Sequence, residues 1–167
     1  MQIRALTSQD AAAYQALRLE SLRDHPTAYC TDHSEEAALE LEAFALRLAA
    51  SENSMTFGAW DEDRLVGIAS LNRPTRLRQR FRATIAGMYV VPACRRQGVA
   101  SELLAACIER ARQQAGLEEV CLCITVGNEP ARRAYEAFGF QADFIDPRYF
   151  KYEGRYYDLE WMRLLLC

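Results

Sequence analysis

The sequence predicts a mixed α/β fold: a sheet of about seven strands with four helices, built as a single domain over residues 1–167. Three observations point to it. Apolar runs of strand length recur along the chain, and helical patterns alternate with them only in the second half. A chain of 167 residues that is 50% hydrophobic can also bury one core without disulfides or metal. Alternation restricted to one half implies antiparallel and parallel strand pairs in the same sheet.

Gln2–Leu6 reads as a short strand. Thr7-Ser8-Gln9-Asp10 resembles a capping box opening a helix that ends before Pro26, although the apolar stripe of that helix is ragged. A second helix is marked by Ala37, Leu41, Phe44 and Leu48, at i, i+4, i+7 and i+11 on one face. Met55–Trp60 and Arg64–Asn72 read as strands joined across Asp61-Glu62-Asp63, a hairpin signal. Arg73, Arg76, Arg78, Arg80 and Arg82 crowd the next stretch. In an acidic chain with no interleaved aromatics beyond Phe81, they read as a solvated hairpin connection rather than a nucleic-acid surface.

Ala83–Val91 is a strand ended by Pro92. A helix then runs to Ala115 with Leu104, Cys107, Ile108, Ala111 and Ala115 as its buried stripe and Gly116 as the residue beyond its end. Glu119–Val126 alternates as a strand does, and Asn128 caps a short helix that tolerates Pro130 in its first turn and stops at Gly139. Phe140–Ile145, Tyr149–Tyr152 and Arg155–Leu166 read as aromatic-rich strands, the last two flanking a Glu153-Gly154 turn.

Composition narrows the function classes. A net charge of −3 provides no global basic field for nucleic acid or anionic lipid. The longest apolar run, Leu103 to Ile108, falls far short of the ~18 residues of a membrane helix. No apolar segment of a secretory leader follows Met1-Gln2-Ile3-Arg4, so a cytoplasmic location is expected. The six cysteines, at 30, 94, 107, 121, 123 and 167, show neither CxxC pairs nor Cys/His metal spacing, and His25 and His33 stand alone. No metal site is expected, and the cysteines read as small hydrophobes.

The chemistry concentrates between Met88 and Ala115. A turn built on Arg95-x-x-Gly98-x-Ala100 turns backbone N–H groups outward at a helix N-terminus, where free donors and the helix dipole favour an anion. Gly98 lets the backbone approach a phosphate, Ala100 keeps the first turn clear, and Arg95 and Arg96 add positive charge. Without GxxxxGK[ST] or GxGxxG, this is neither a nucleotide P-loop nor a dinucleotide fingerprint. Further on, Asn128, Ala131 and Tyr135 share one helix face: a capping amide, a small residue and a phenol.

MYVVPACRRQGVASELL followed by TVGNEPARRAYEAFGF resembles the GCN5-related N-acetyltransferase (GNAT) family, in both acetyl-coenzyme A motifs and in their order, over about residues 83–140. HPTAYCTDHSEE and GRYYDLEWM look like those of a broad bacterial subgroup. The resemblance implies a splay between the two central parallel strands and a set of roles. Met88, Tyr89 and Val90 would offer strand backbone to the pantetheine arm of acetyl-CoA. The amides from Arg96 through Gln97, Gly98, Val99, Ala100 and Ser101 would cradle its pyrophosphate. Asn128 would bond the pantetheine, Ala131 would leave room for it, and Tyr135 would sit near the thioester sulfur as general acid.

The implied reaction is direct attack of an amine, of a small molecule or a protein, on the thioester. A lysine-like amine at pKa ~10.4 is charged at pH 7, and deprotonating it costs about 4.6 kcal/mol. Relatives place a Glu where this chain has Ala86, Gly87 or Cys123. The base is therefore left to a water relay, an amine of low pKa, or Glu20 or Glu35 from the helical region. Acceptor specificity would come from the first two helices and the final hairpin, with Tyr29, Glu35, Tyr152 and Tyr156 as candidate lining. The missing carboxylates also fit a second class, a non-catalytic acyl-CoA-binding or sensing module. The protein is expected to act as a monomer or homodimer.

Overall fold

The computed structural model describes residues 1–166. Its strands are β1 (Gln2–Ala5), β2 (Ser54–Asp61), β3 (Arg64–Asn72), β4 (Arg82–Val90), β5 (Glu119–Thr125), β6 (Gln141–Tyr152) and β7 (Arg155–Leu165). Its α-helices are α1 (Ala11–Asp24), α2 (His33–Ala37), α3 (Leu41–Arg47), α4 (Val99–Arg112) and α5 (Glu129–Glu136). The seven strands form one sheet in the order β1-β2-β3-β4-β5-β7-β6. Only β4 and β5 pair in parallel, and every other neighbour is antiparallel. Among the described residues, no helix is long and apolar enough to cross a membrane.

β3 is buried at residues of both parities and touches both α1 and α4, so the sheet is covered on both faces at its centre. The expected α4 stripe is correct in phase for Leu104, Cys107, Ile108 and Ala111, which are buried with Val99 and Leu103, whereas Ala115 lies past the helix and is exposed. The helix ends at Arg112, and Gly116 (φ +70°) closes the following turn instead of the helix itself. α1 shows why its pattern was ragged: its buried face is Ala11, Tyr14, Leu17, Arg18, Ser21 and Leu22, two of them polar.

Two elements differ from expectation. The second helix is broken. Asp32 caps α2 by accepting from the Ser34 N–H at 2.8 Å, and the chain extends at Glu40 (ψ 155°) before α3 begins. Ala37 and Leu41 are therefore exposed, and only Phe44 and Leu48 of the expected stripe reach the core. The strands expected at 140–145 and 149–152 are one edge strand, β6, whose register slips between Ala142 and Phe144 and again between Asp146 and Phe150. Pro147 falls inside the second slip, where an edge strand tolerates a missing N–H. The Glu153-Gly154 turn has φ of +46° and +80°, the paired positive values of a tight I′-type hairpin.

The arginine-rich stretch is the β3–β4 hairpin connection. Arg73 donates to the Arg80 carbonyl at 2.7 Å and to the Ala115 carbonyl at 2.9 Å. Arg82 and Arg163 hold the buried Glu119 carboxylate at 2.9 and 3.1 Å, which clamps the paired end of β4 and β5. Removing that carboxylate leaves Arg82 without its counter-ion and Arg163 with Asp143 alone. Because both guanidiniums are partly solvated, Glu119→Ala is expected to cost about 2 kcal/mol. The corresponding fall in Tm is ~4–8 °C, read by thermal unfolding. An unchanged Tm would show that the clamp contributes nothing.

Candidate active site

The sheet opens at its one parallel pair. β4 and β5 are registered only over Arg82–Thr84 and Glu119–Cys121; beyond these the strands part around a cavity of about 550 Å³. The Glu119 clamp fixes the closed end. At the open end the β3–β4 register slips by one residue between Ile68 and Ser70, and Gly87 sits opposite the slip at φ +65°. It is a glycine bulge, which bends β4 away from β5. A side chain at 87 would meet nothing nearer than Arg18 Nη1 at 4.0 Å, so the dihedral rather than space calls for glycine.

The turn after β4 delivers free donors to the mouth of this cavity. Arg96 (φ +60°) and Gly98 (φ +85°) are both left-handed, and the first bond of α4 runs from the Glu102 N–H to the Gly98 carbonyl at 3.0 Å. The N–H groups of Val99, Ala100 and Ser101 therefore have no partner within the helix, and no side chain caps the end. Val99 is buried and anchors the turn, while Gly98, Ala100 and Ser101 face outward. This cradle fits a pyrophosphate, which would satisfy the orphaned donors at the positive end of the helix dipole.

The side chains of the turn are occupied differently from expectation. Arg95 donates to the Val90 carbonyl and lies against His25 Nε2, both at 2.9 Å, so its guanidinium braces the turn rather than hanging free for a phosphate. Gln97 is tied to the Ala93 carbonyl at 3.0 Å, and among the described residues the Arg96 guanidinium has no side-chain partner. On β4 the Met88 carbonyl accepts from the Tyr29 hydroxyl at 2.9 Å. The Tyr89 side chain is buried and donates to Glu20 at 3.0 Å, and burial beside that carboxylate pushes its phenol up to about 12. Glu20 is thereby held off the cavity wall.

α5 supplies the opposite wall. Asn128 Oδ1 caps the helix by accepting from the Ala131 N–H at 3.4 Å, and among the described residues its side-chain Nδ2 hydrogens have no protein partner. Tyr135 lines the cavity with its ring edge-on to Phe140 and its hydroxyl 3.7 Å from Met88 Sδ. Burial raises its phenol far above the ordinary range, so the group stays protonated. Cys123 shares the wall, and burial pushes its thiol up to about 11, which removes the thiolate a nucleophile needs.

Of the candidate acceptor residues, Tyr29 lines the main cavity. Tyr152 lines a smaller one of about 230 Å³ that shares Tyr29, Cys30 and Thr31 with it. Glu35 lies elsewhere: it is exposed and accepts from the Asp32 N–H, completing the α2 capping box. Tyr156 is also off the site, exposed on β7 under Arg148 at 3.9 Å. Cys167 lies outside the described residues. The residue missed by sequence reasoning is Arg18, buried on α1 and part of the cavity wall. Its only trace in the sequence is the interruption it makes in the helix stripe. Among the described residues, no Asp or Glu lines the main cavity.

The family model of the acetyltransferase (GNAT) family matches residues 15–140. None of the curated proteins matches the sequence. Among solved structures, an acetyltransferase of the GNAT family from Streptococcus pneumoniae is 24% identical, with a TM-score of 0.88 over 99% of both chains. The ribosomal-protein-alanine N-acetyltransferase of Brucella melitensis is 24% identical, with a TM-score of 0.85 over 99% of this chain and 100% of that one. The yncA protein of Salmonella typhimurium, solved with its cofactor acetyl-CoA, is 23% identical, with a TM-score of 0.82 over 100% and 94%. At these identities the likeness establishes the fold. The family match covers most of the chain, including the splayed strands and both walls of the cavity, so this protein belongs to the acetyltransferase (GNAT) family, whose acetyl donor is acetyl-CoA.

Proposed function

We propose that the protein is an N-acetyltransferase, moving an acetyl group directly from acetyl-CoA to a primary amine in the cytoplasm. The observation that carries this reading is the protonated Tyr135 phenol standing in the same cavity as Ala100, whose amide belongs to the uncapped first turn of α4. In this reading the amides from Arg96 to Ser101 hold the pyrophosphate and the Arg96 guanidinium adds charge. The strand Met88–Val90 and the Asn128 amide line up the pantetheine, and Ala131 gives it room. Acetyl-CoA supplies an activated acyl carbon with a thiolate leaving group.

Transfer forms a C–N bond and breaks the C–S bond; the amine loses a proton and the departing sulfur gains one. Tyr135 serves the sulfur. Its phenol is a weaker acid than the coenzyme thiol of pKa ~8.5 that it would form, so full transfer is uphill by more than about 2 kcal/mol. Its main contribution is a hydrogen bond to the charge that develops on sulfur, with the proton moving late. With Glu20 held by Tyr89 and Glu35 outside the cavity, the amine's proton leaves through water.

The test is thiol release on incubation with acetyl-CoA and a panel of amines. Thiol formed only when an amine is present, with a stoichiometric acetylated product, supports the reading. The carboxylate-free wall favours the second reading, a non-catalytic acyl-CoA sensor, and that reading gains if cofactor binds tightly while no amine releases thiol.

A further inference from the structure

Arg18 is a cation with an unspent donor at the acceptor end of the cavity. Its residue is 9% exposed, and its Nη2 reaches Glu36 at 3.4 Å. The other oxygen of the buried Glu36 is taken by Arg47 at 3.0 Å, so two guanidiniums share one carboxylate and the group keeps a net positive charge. The Tyr29 ring, 5.0 Å from Arg18 Cζ, covers one side of the guanidinium. Among the described residues, Nη1 has no hydrogen-bond partner although it is shielded from solvent. It lies 4.0 Å from where a Cβ on Gly87 would sit, beside the β4 bulge that helps form the cavity wall.

Two physical facts select the ligand. A buried charged donor left unpaired is costly, and a carboxylate satisfies a guanidinium better than any neutral acceptor does. The cavity wall also carries Arg18 and Arg95 with no Asp or Glu, so a purely cationic acceptor would enter without a counter-ion. Arg95 is engaged by Val90 and His25, which leaves Nη1 of Arg18 as the donor open to a ligand.

We propose that Arg18 is the docking group for a carboxylate on the acceptor, so that the enzyme's acceptors are small amines that also carry a carboxylate, of the amino-acid class. The inference rests on the N-acetyltransferase reading above. The anchor places the acceptor beside Gly87, at the space that a side chain on this strand would otherwise fill.

The experiment needs no turnover. L-Amino acids with small, aliphatic and aromatic side chains, β-alanine and 4-aminobutyrate are each paired with their carboxamide. Binding is measured by calorimetry on protein saturated with coenzyme A. At least one acid is expected to bind ~10–100-fold more tightly than its amide, the range of a charge-assisted hydrogen bond. In Arg18→Gln the gap should shrink to within about threefold while coenzyme A binding is kept. Equal binding of every acid and amide to the wild type, or no binding of any acid, overturns the proposal. So does a gap that persists in Arg18→Gln. If that variant fails to fold, the wild-type pairs still decide. Thiol release in the presence of the bound acid tests the N-acetyltransferase reading separately: acids that bind selectively yet release no thiol sink that reading and leave the carboxylate site standing.

Discussion

Tyr135→Phe should lower kcat about 100-fold while leaving the Kd for acetyl-CoA nearly unchanged. A donor aimed at charge developing in the transition state is worth ~10²–10³ in rate, and its removal touches the ground state little. Phenylalanine keeps the ring that packs edge-on to Phe140 and loses only the contact with Met88 Sδ at 3.7 Å, so the fold should be nearly as stable. The pH profile adds a second arm. The protonated phenol is the active form, and burial raises its pKa above the ordinary value of 10. Activity that depends on it is therefore complete at neutral pH and is lost only as pH rises through that elevated value. The wild-type rate should climb as the acceptor amine deprotonates and show no descending limb below about pH 10. A descending limb near pH 8–9, or a phenylalanine variant as fast as wild type, would remove Tyr135 from the chemistry.

Much of this arrangement could be read from the chain because it depends on local rules. The α4 turn is legible since Gly98 is followed by a clear helical stripe, and a helix start with no Ser, Thr, Asp or Asn in the cap position leaves its N–H groups free. Asn128, Ala131 and Tyr135 share a wall because helical spacing forces them to. What stayed hidden depends on distant contacts. Arg18 reads as a flaw in an amphipathic pattern until Glu36, eighteen positions along the chain, folds over it. The break between α2 and α3 likewise escapes a periodicity argument. Ala37 and Leu41 keep the helical phase, but capping by Asp32 and the extended backbone at Glu40 set the boundaries. Glu20 was a reasonable base from its place on α1, and only the packing of Tyr89 against it shows that it is engaged elsewhere. The single strand β6 is likewise hidden, because Pro147 sits at an edge position where register slips absorb its missing N–H.

Gly98→Val should weaken acetyl-CoA binding ~10–100-fold, and the comparison with Gly154→Val isolates the cause. The two glycines have nearly the same backbone, φ +85° and +80°, and neither is crowded: a Cβ at 98 meets only Glu102 Oε1 at 4.0 Å, and one at 154 meets nothing within 4 Å. A β-branched residue pays about 1–2 kcal/mol for the left-handed conformation at either site, so both variants should lose a few degrees of Tm. Only at 98 does escape from that strain move functional groups. Returning the residue to negative φ rotates the peptide that opens α4 and turns the amides of Val99, Ala100 and Ser101 away from a common focus. Calorimetry with acetyl-CoA on both variants reads the difference. Equal affinity in Gly98→Val and wild type would mean that the diphosphate is not held by this turn. A matching loss in Gly154→Val would mean that the effect is one of global stability.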